Sequence, residues 1–189
     1  MAVGPKGSTI AAKRAELPAY FYRLSDRAQR TYLKSDSIDH FELGPDRDAL
    51  AMTNALMAAL EFGAPSAIER AAQTLADRIC RVVAVRGVRV EVRGVRPHNA
   101  RGELHGIFYP RGPAQRPRAP LIILWMRTAQ RHDVVKPKTF LRTLMHELGH
   151  YLDYAVLRLD DSFHTAGFFK RESFLVRTLY QPDLTPPDA

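Results

Sequence analysis

The stretch RTLMHELGHYLDY, residues 142–154, constrains the fold more than any other segment. At about 100° per residue, Leu141, Leu144, Leu148, Leu152 and Ala155 fall on one face of a helix. His146, His150 and Asp153 fall on the opposite side, with Glu147 and Tyr154 at its edge. Such a helix must bury its leucines against a core and keep two imidazoles, one turn apart, turned away from it.

The rest of the sequence supplies the covering layers. LSDRAQRTYLKSD predicts a short helix. In GPDRDALAMTNALMAALEFGAP, Met52, Leu56, Ala59 and Leu60 share a face, and Gly63 with Pro65 supplies a stop. The next helix opens with Ser66 and Glu69 at capping-box spacing and carries Ile68, Ala72, Leu75 and Ile79 on one stripe, so the pair is expected to pack as a helical hairpin. The period then changes to two. Val88, Val90 and Val92 alternate with Arg89, Glu91 and Arg93, and GELHGIFYP and APLIILWM predict two further strands between turn-rich segments. A small antiparallel meander, or a mixed sheet of three to four strands, follows. A last helix within TAGFFKRESFLVRTLY puts Phe168, Leu175 and Leu179 on one side. The fold class is α+β, with a basic arm at 1–20, one domain at 21–180 (helical part 21–83, sheet and histidine-bearing helix 85–180) and a disordered tail at 181–189.

Two imidazoles one helical turn apart can converge on one metal ion at about 2.0–2.1 Å. His146, Glu147 and His150 form the H-E-x-x-H pattern of zinc metallopeptidases, in which Glu147 is too far to ligate but close enough to touch a water beside the metal, the place of a general base. The metzincin extension needs glycine at 153 and histidine or aspartate at 156, where this chain has Asp153 and Val156. The third ligand is His164 or Glu172, with Asp160 and Asp161 as outside candidates. On one helix His164 and Glu172 would lie about 12 Å apart, so only one can serve. Arg171, Tyr151 and Tyr109 are candidate donors to negative charge in the transition state, and Asp153 a candidate acceptor that orients an imidazole. His40, His98, His105 and His132 lack ligand spacing and are expected on the surface or in packing. The single cysteine, Cys80, rules out a disulfide framework and a cysteine zinc ribbon.

H-E-x-x-H followed, after a linker, by His-x-x-x-Phe (His164 to Phe168) resembles the SprT-like, Spartan-type zinc metalloproteases. The resemblance spans residues 85 to 178. It implies a zincin-like layout with LIILWM as the strand ahead of the active-site helix, one zinc ion held by His146, His150 and His164, and protein substrates bound or crosslinked to DNA. Thr165 stands where the family often has glycine, and the cysteine-rich ribbon of some members is missing.

A formal net charge of +8 suits a polyanionic partner such as DNA. The excess cations gather at Lys6, Lys13 and Arg14 and from Arg111 through Arg116, Arg118, Arg127, Arg131, Lys136 and Lys138 to Arg142, against Asp133 alone. No helix-turn-helix or aromatic RNA-binding signature accompanies them. The longest apolar run, Leu121 to Met126, is too short to span a bilayer and no secretory signal is visible, so no membrane partner and a cytoplasmic location are expected. The alternatives to a peptidase acting on a protein or peptide substrate are a nucleic-acid-binding module with a structural zinc, and a regulatory peptidase with one dedicated target.

Overall fold

The structure is a computed structural model and describes residues 17–100, 102–110 and 119–180. The expected tail and nearly all of the expected arm lie outside the described residues, as do Lys6, Lys13, Arg14, Arg111, Arg116 and Arg118. A single 3₁₀ turn, Phe21–Arg23, leads into α1 (Asp26–Ser37), which starts where the Ser25 hydroxyl accepts from the Ala28 amide. Asp46 caps α2 (Arg47–Phe62) through the amides of Asp48 and Ala49. That helix stops at Gly63, whose left-handed φ of 70° suits a residue without a Cβ. Proline opens α3 (Pro65–Val82), and Leu56, Leu60, Ile68, Leu75 and Ile79 are buried along the expected α2–α3 hairpin.

The expected capping box does not form. Ala64 caps α3 without a side-chain bond, and Glu69 accepts instead from the Val92 amide at 2.8 Å. Gln73 continues the same seam, accepting from the Val90 amide at 2.7 Å and donating to the Val88 carbonyl at 2.9 Å. The seam occupies one edge of the sheet, so α3 satisfies backbone groups that an edge strand would otherwise leave open.

That sheet contains β1 (Arg89–Val95), β4 (Gly106–Tyr109) and β5 (Leu121–Arg127); β2 (His98–Asn99) and β3 (Gly102–Glu103) form a separate two-residue ribbon. The strand order is β1-β5-β4, with β1 parallel and β4 antiparallel to β5. The sheet is therefore mixed and not a meander. The reason lies in LIILWM, which is apolar at every position and belongs at the centre of a sheet covered on both faces. Ile122, Leu124 and Met126 enter the main core, and Leu121, Ile123 and Trp125 form a second cluster with Ile107 and Tyr109.

Helix α4 (Pro137–Ala155) packs on β4 and β5, and α5 (Ala166–Leu179) packs on both α4 and α1. No described helix is long and apolar enough to cross a membrane. The α1–α5 contact is closest at Gly167, where an added Cβ would lie 2.3 Å from the Ser35 carbonyl oxygen and 2.7 Å from that of Asp36. Gly167→Ala must push α5 away from a helix end that cannot yield. It is expected to cost about 1–3 kcal/mol, read as a lower urea midpoint; an unchanged midpoint would contradict the packing described.

Candidate metal centre

Leu141, Leu144, Leu148 and Leu152 are fully buried, which fixes the rotation of α4 and sends His146 and His150 to the other side. The chain turns after α4 and re-enters a helix at Thr165, whose hydroxyl accepts from the Phe168 amide at 3.0 Å and pairs with Ser35 Oγ at 3.2 Å. His164, one residue before this cap, reaches back to α4. Its Nε2 lies 3.0 Å from His146 Nε2 and 3.1 Å from His150 Nε2. Phe168, itself buried, lies under the cluster, stacked on His150 with ring centroids 4.6 Å apart.

The opposite ring nitrogens decide what this triangle is for. His146 Nδ1 is 2.8 Å from Glu172 Oε2, and His150 Nδ1 is 2.7 Å from Ser162 Oγ. Ser162 donates its own proton to Asp153 Oδ2 at 2.7 Å, so its oxygen must accept from His150. Burial alone would push Glu172 up, but hydrogen bonds from His146 and Arg142 outweigh it and hold the carboxyl below its usual range. It therefore accepts from His146 Nδ1. Both Nδ1 atoms carry protons, and both Nε2 lone pairs are left facing His164 Nε2, where they repel unless a proton on His164 or a metal ion lies between them. Burial pushes His150 down to about 3 and lowers His164 as well, which keeps these rings neutral, the form that ligates. Donors around a tetrahedral ion at about 2.05 Å are roughly 3.3 Å apart, close to the spacing found here. The residues fit a zinc ion.

The alternatives for the third ligand fall elsewhere. Glu172 stands behind His146, between its ring and Arg142 Nε at 2.6 Å. Asp160 pairs with Arg27, and Asp161 accepts from Tyr154 and the Ser162 amide. Asp153 does act on an imidazole, but at one remove through Ser162, a residue that no sequence spacing singled out.

Two of the candidate transition-state donors, Arg171 and Tyr151, need correcting. Arg171 is 1% exposed, and its guanidinium donates to Asp153 Oδ1, Ser35 Oγ and the carbonyls of Ser35 and Ile38. The Tyr151 hydroxyl donates to the Arg86 carbonyl, and Tyr109 packs in the second apolar cluster. The polar groups of Arg171 and Tyr151 are thus engaged within the fold and are not presented to a substrate. A cleft of about 410 Å³ beside the histidines is lined instead by Gly106, His105, Arg142, Glu147 and Phe169, among others. His105 is exposed as expected, and its surface lines this cleft. Cys80 is buried in α3, and burial pushes its thiol up to about 11, so it stays protonated.

Glu147 is 7% exposed at the floor of this cleft. Burial pushes its carboxyl up to about 7, opposed by the charge of His146 and a hydrogen bond from the Phe108 amide. Gly106 lets β4 close over it: a Cβ there would lie 2.9 Å from Glu147 Oε1 and 2.8 Å from Thr143 Cγ2. The Trp125 amide donates to the His105 carbonyl. In an antiparallel ladder the odd-numbered residues of β4 then face β5, and the backbone groups of Gly106 and Phe108 face outward.

No family model matches the chain, and no curated protein or solved structure does.

Proposed function

We propose that the chain is a zinc-dependent peptidase of SprT-like, zincin type, with His146, His150 and His164 as ligands and Glu147 as general base. The observation that carries this reading is the convergence of three Nε2 atoms, two of which, on His146 and His150, are left by their Nδ1 partners with only a lone pair to offer. A zinc ion held by these three residues would supply a Lewis acid that polarises a peptide carbonyl and acidifies a bound water. Glu147, buried beside His146 and steadied by Phe108, takes a proton from that water and passes it to the leaving nitrogen. An extended substrate adds along the outer edge of β4, where the Phe108 carbonyl faces away from β5.

A structural zinc is the weaker reading, because such a site calls for a fourth protein donor and Glu172, Asp160 and Asp161 are committed elsewhere. DNA-bound proteins as substrates are supported by a hollow of about 340 Å³ where Arg27, Arg30, Lys34 and Arg158 gather around Asp160. A cytoplasmic enzyme acting there is the corresponding proposal. Zinc-loaded protein is expected to cut an unfolded protein such as casein, to stop on chelation and to recover with added zinc. Fully loaded protein that leaves every unfolded substrate intact would refute it.

A further inference from the structure

The metal cleft does not end at Phe169. That ring, 46% exposed, also borders a second and larger hollow of about 860 Å³ along the outer face of α5. Its walls include Lys170, Phe174 and Arg177 on the helix and Asp39 with His40 on the chain after α1. Among the described residues Lys170 and Arg177 make no ion pair or hydrogen bond, whereas Asp39 is occupied by His40 Nδ1 at 2.7 Å. The hydrogen bond from His40, with the charge of Lys170 nearby, holds the Asp39 carboxyl below its usual range, so the hollow presents two cations against one acid that His40 and Lys170 already face.

We infer that this hollow is the specificity pocket of the proposed peptidase and that it takes an acidic side chain of the peptide substrate. The inference rests on the peptidase reading. At about 1.5 Å per helical residue, Phe169 to Arg177 spans about 12 Å, or three to four residues of an extended peptide at about 3.3 Å each. A peptide that leaves the cleft past Phe169 thus brings a Glu or Asp within its next three to four residues to Lys170 or Arg177. Carboxylates gain charge-assisted hydrogen bonds from both side chains. Nucleic acid fits less well, since base stacking needs bare aromatic faces. Phe169 already stacks on His164 with planes 17° apart, and Phe174 leans on His40 with centroids 5.6 Å apart.

The test uses the zinc-loaded 189-residue chain carrying Glu147→Gln, which holds peptides without cutting them, and fluorescent peptide pools that carry Glu, Ala or Lys on either side of a common centre. The Glu pool is expected to bind about tenfold more tightly than the Ala pool, and Lys170→Glu/Arg177→Glu to reverse the order in favour of Lys while keeping its zinc. Equal binding of the three pools, a Glu preference that survives the charge reversal, or displacement of the Glu pool by oligo-dT at lower concentration than by unlabelled Glu peptide would each overturn the proposal. Casein cleavage by wild type reads the peptidase assignment separately, so a peptidase without acid preference is distinguished from a protein that is no peptidase.

Discussion

Glu147→Gln is expected to abolish nearly all casein cleavage, by about 10³-fold, while zinc content and thermal stability stay close to wild type. General acid–base catalysis contributes about 10²–10⁴-fold. Glutamine keeps the shape and can still accept from the Phe108 amide, but its amide cannot carry a proton to and fro. Its stability should hold because the substitution removes no buried ion pair. Residual activity within tenfold of wild type would assign the proton transfer to another group and leave Glu147 as packing beneath Gly106.

Arg171→Met is expected to have the largest effect on folding. The guanidinium and Asp153 are 1% and 0% exposed, so removing the cation strands a carboxylate in the core. It also strips a donor from the Ser35 and Ile38 carbonyls at the end of α1. Breaking a buried pair from one side costs about 3–5 kcal/mol, which for a chain of this size is a fall of roughly 10 °C in Tm. The loss has a second consequence, because Asp153 holds Ser162 and Ser162 holds His150. Zinc affinity should drop about 10–100-fold in whatever protein folds, as when outer partners of metal ligands are removed. A stability change under 1 kcal/mol, measured by urea denaturation, would contradict the role given to this pair.

Helix α4 was legible in advance because its two faces carry different chemistry: leucines that must be buried, and imidazoles at a spacing that fits an ion. The last helix was legible from its apolar stripe but its start was not: Thr165 caps α5, so His164 precedes the helix and its Nε2 meets those of His146 and His150, whereas Glu172 reaches α4 only behind the His146 ring. Strand β5 was recognisable from its composition, but its place between β1 and β4 was not. Local period fixes which way side chains point, whereas strand order is settled by long-range pairing and by what covers each face. The Ser66–Glu69 spacing suited a cap or an outward reach equally well, and β1 passing alongside chose the second. Arg171 looked available because an arginine in a helical pattern gives no sign of turning inward; only the buried Asp153 opposite it explains why it does. Ser162 carried no signal at all, being a small polar residue in a loop until His150 and Asp153 are brought to either side of it.

If His164, and not Glu172, completes a zinc site with His146 and His150, the zinc content of purified protein will show it. Wild type is predicted to carry about one zinc per chain and His164→Ala almost none. Glu172→Ala should still load to about one when zinc is in excess, with affinity about 10–100-fold weaker because His146 has lost the acceptor behind it. Full zinc in His164→Ala with none in Glu172→Ala, or a wild type that cannot be loaded, would contradict the account.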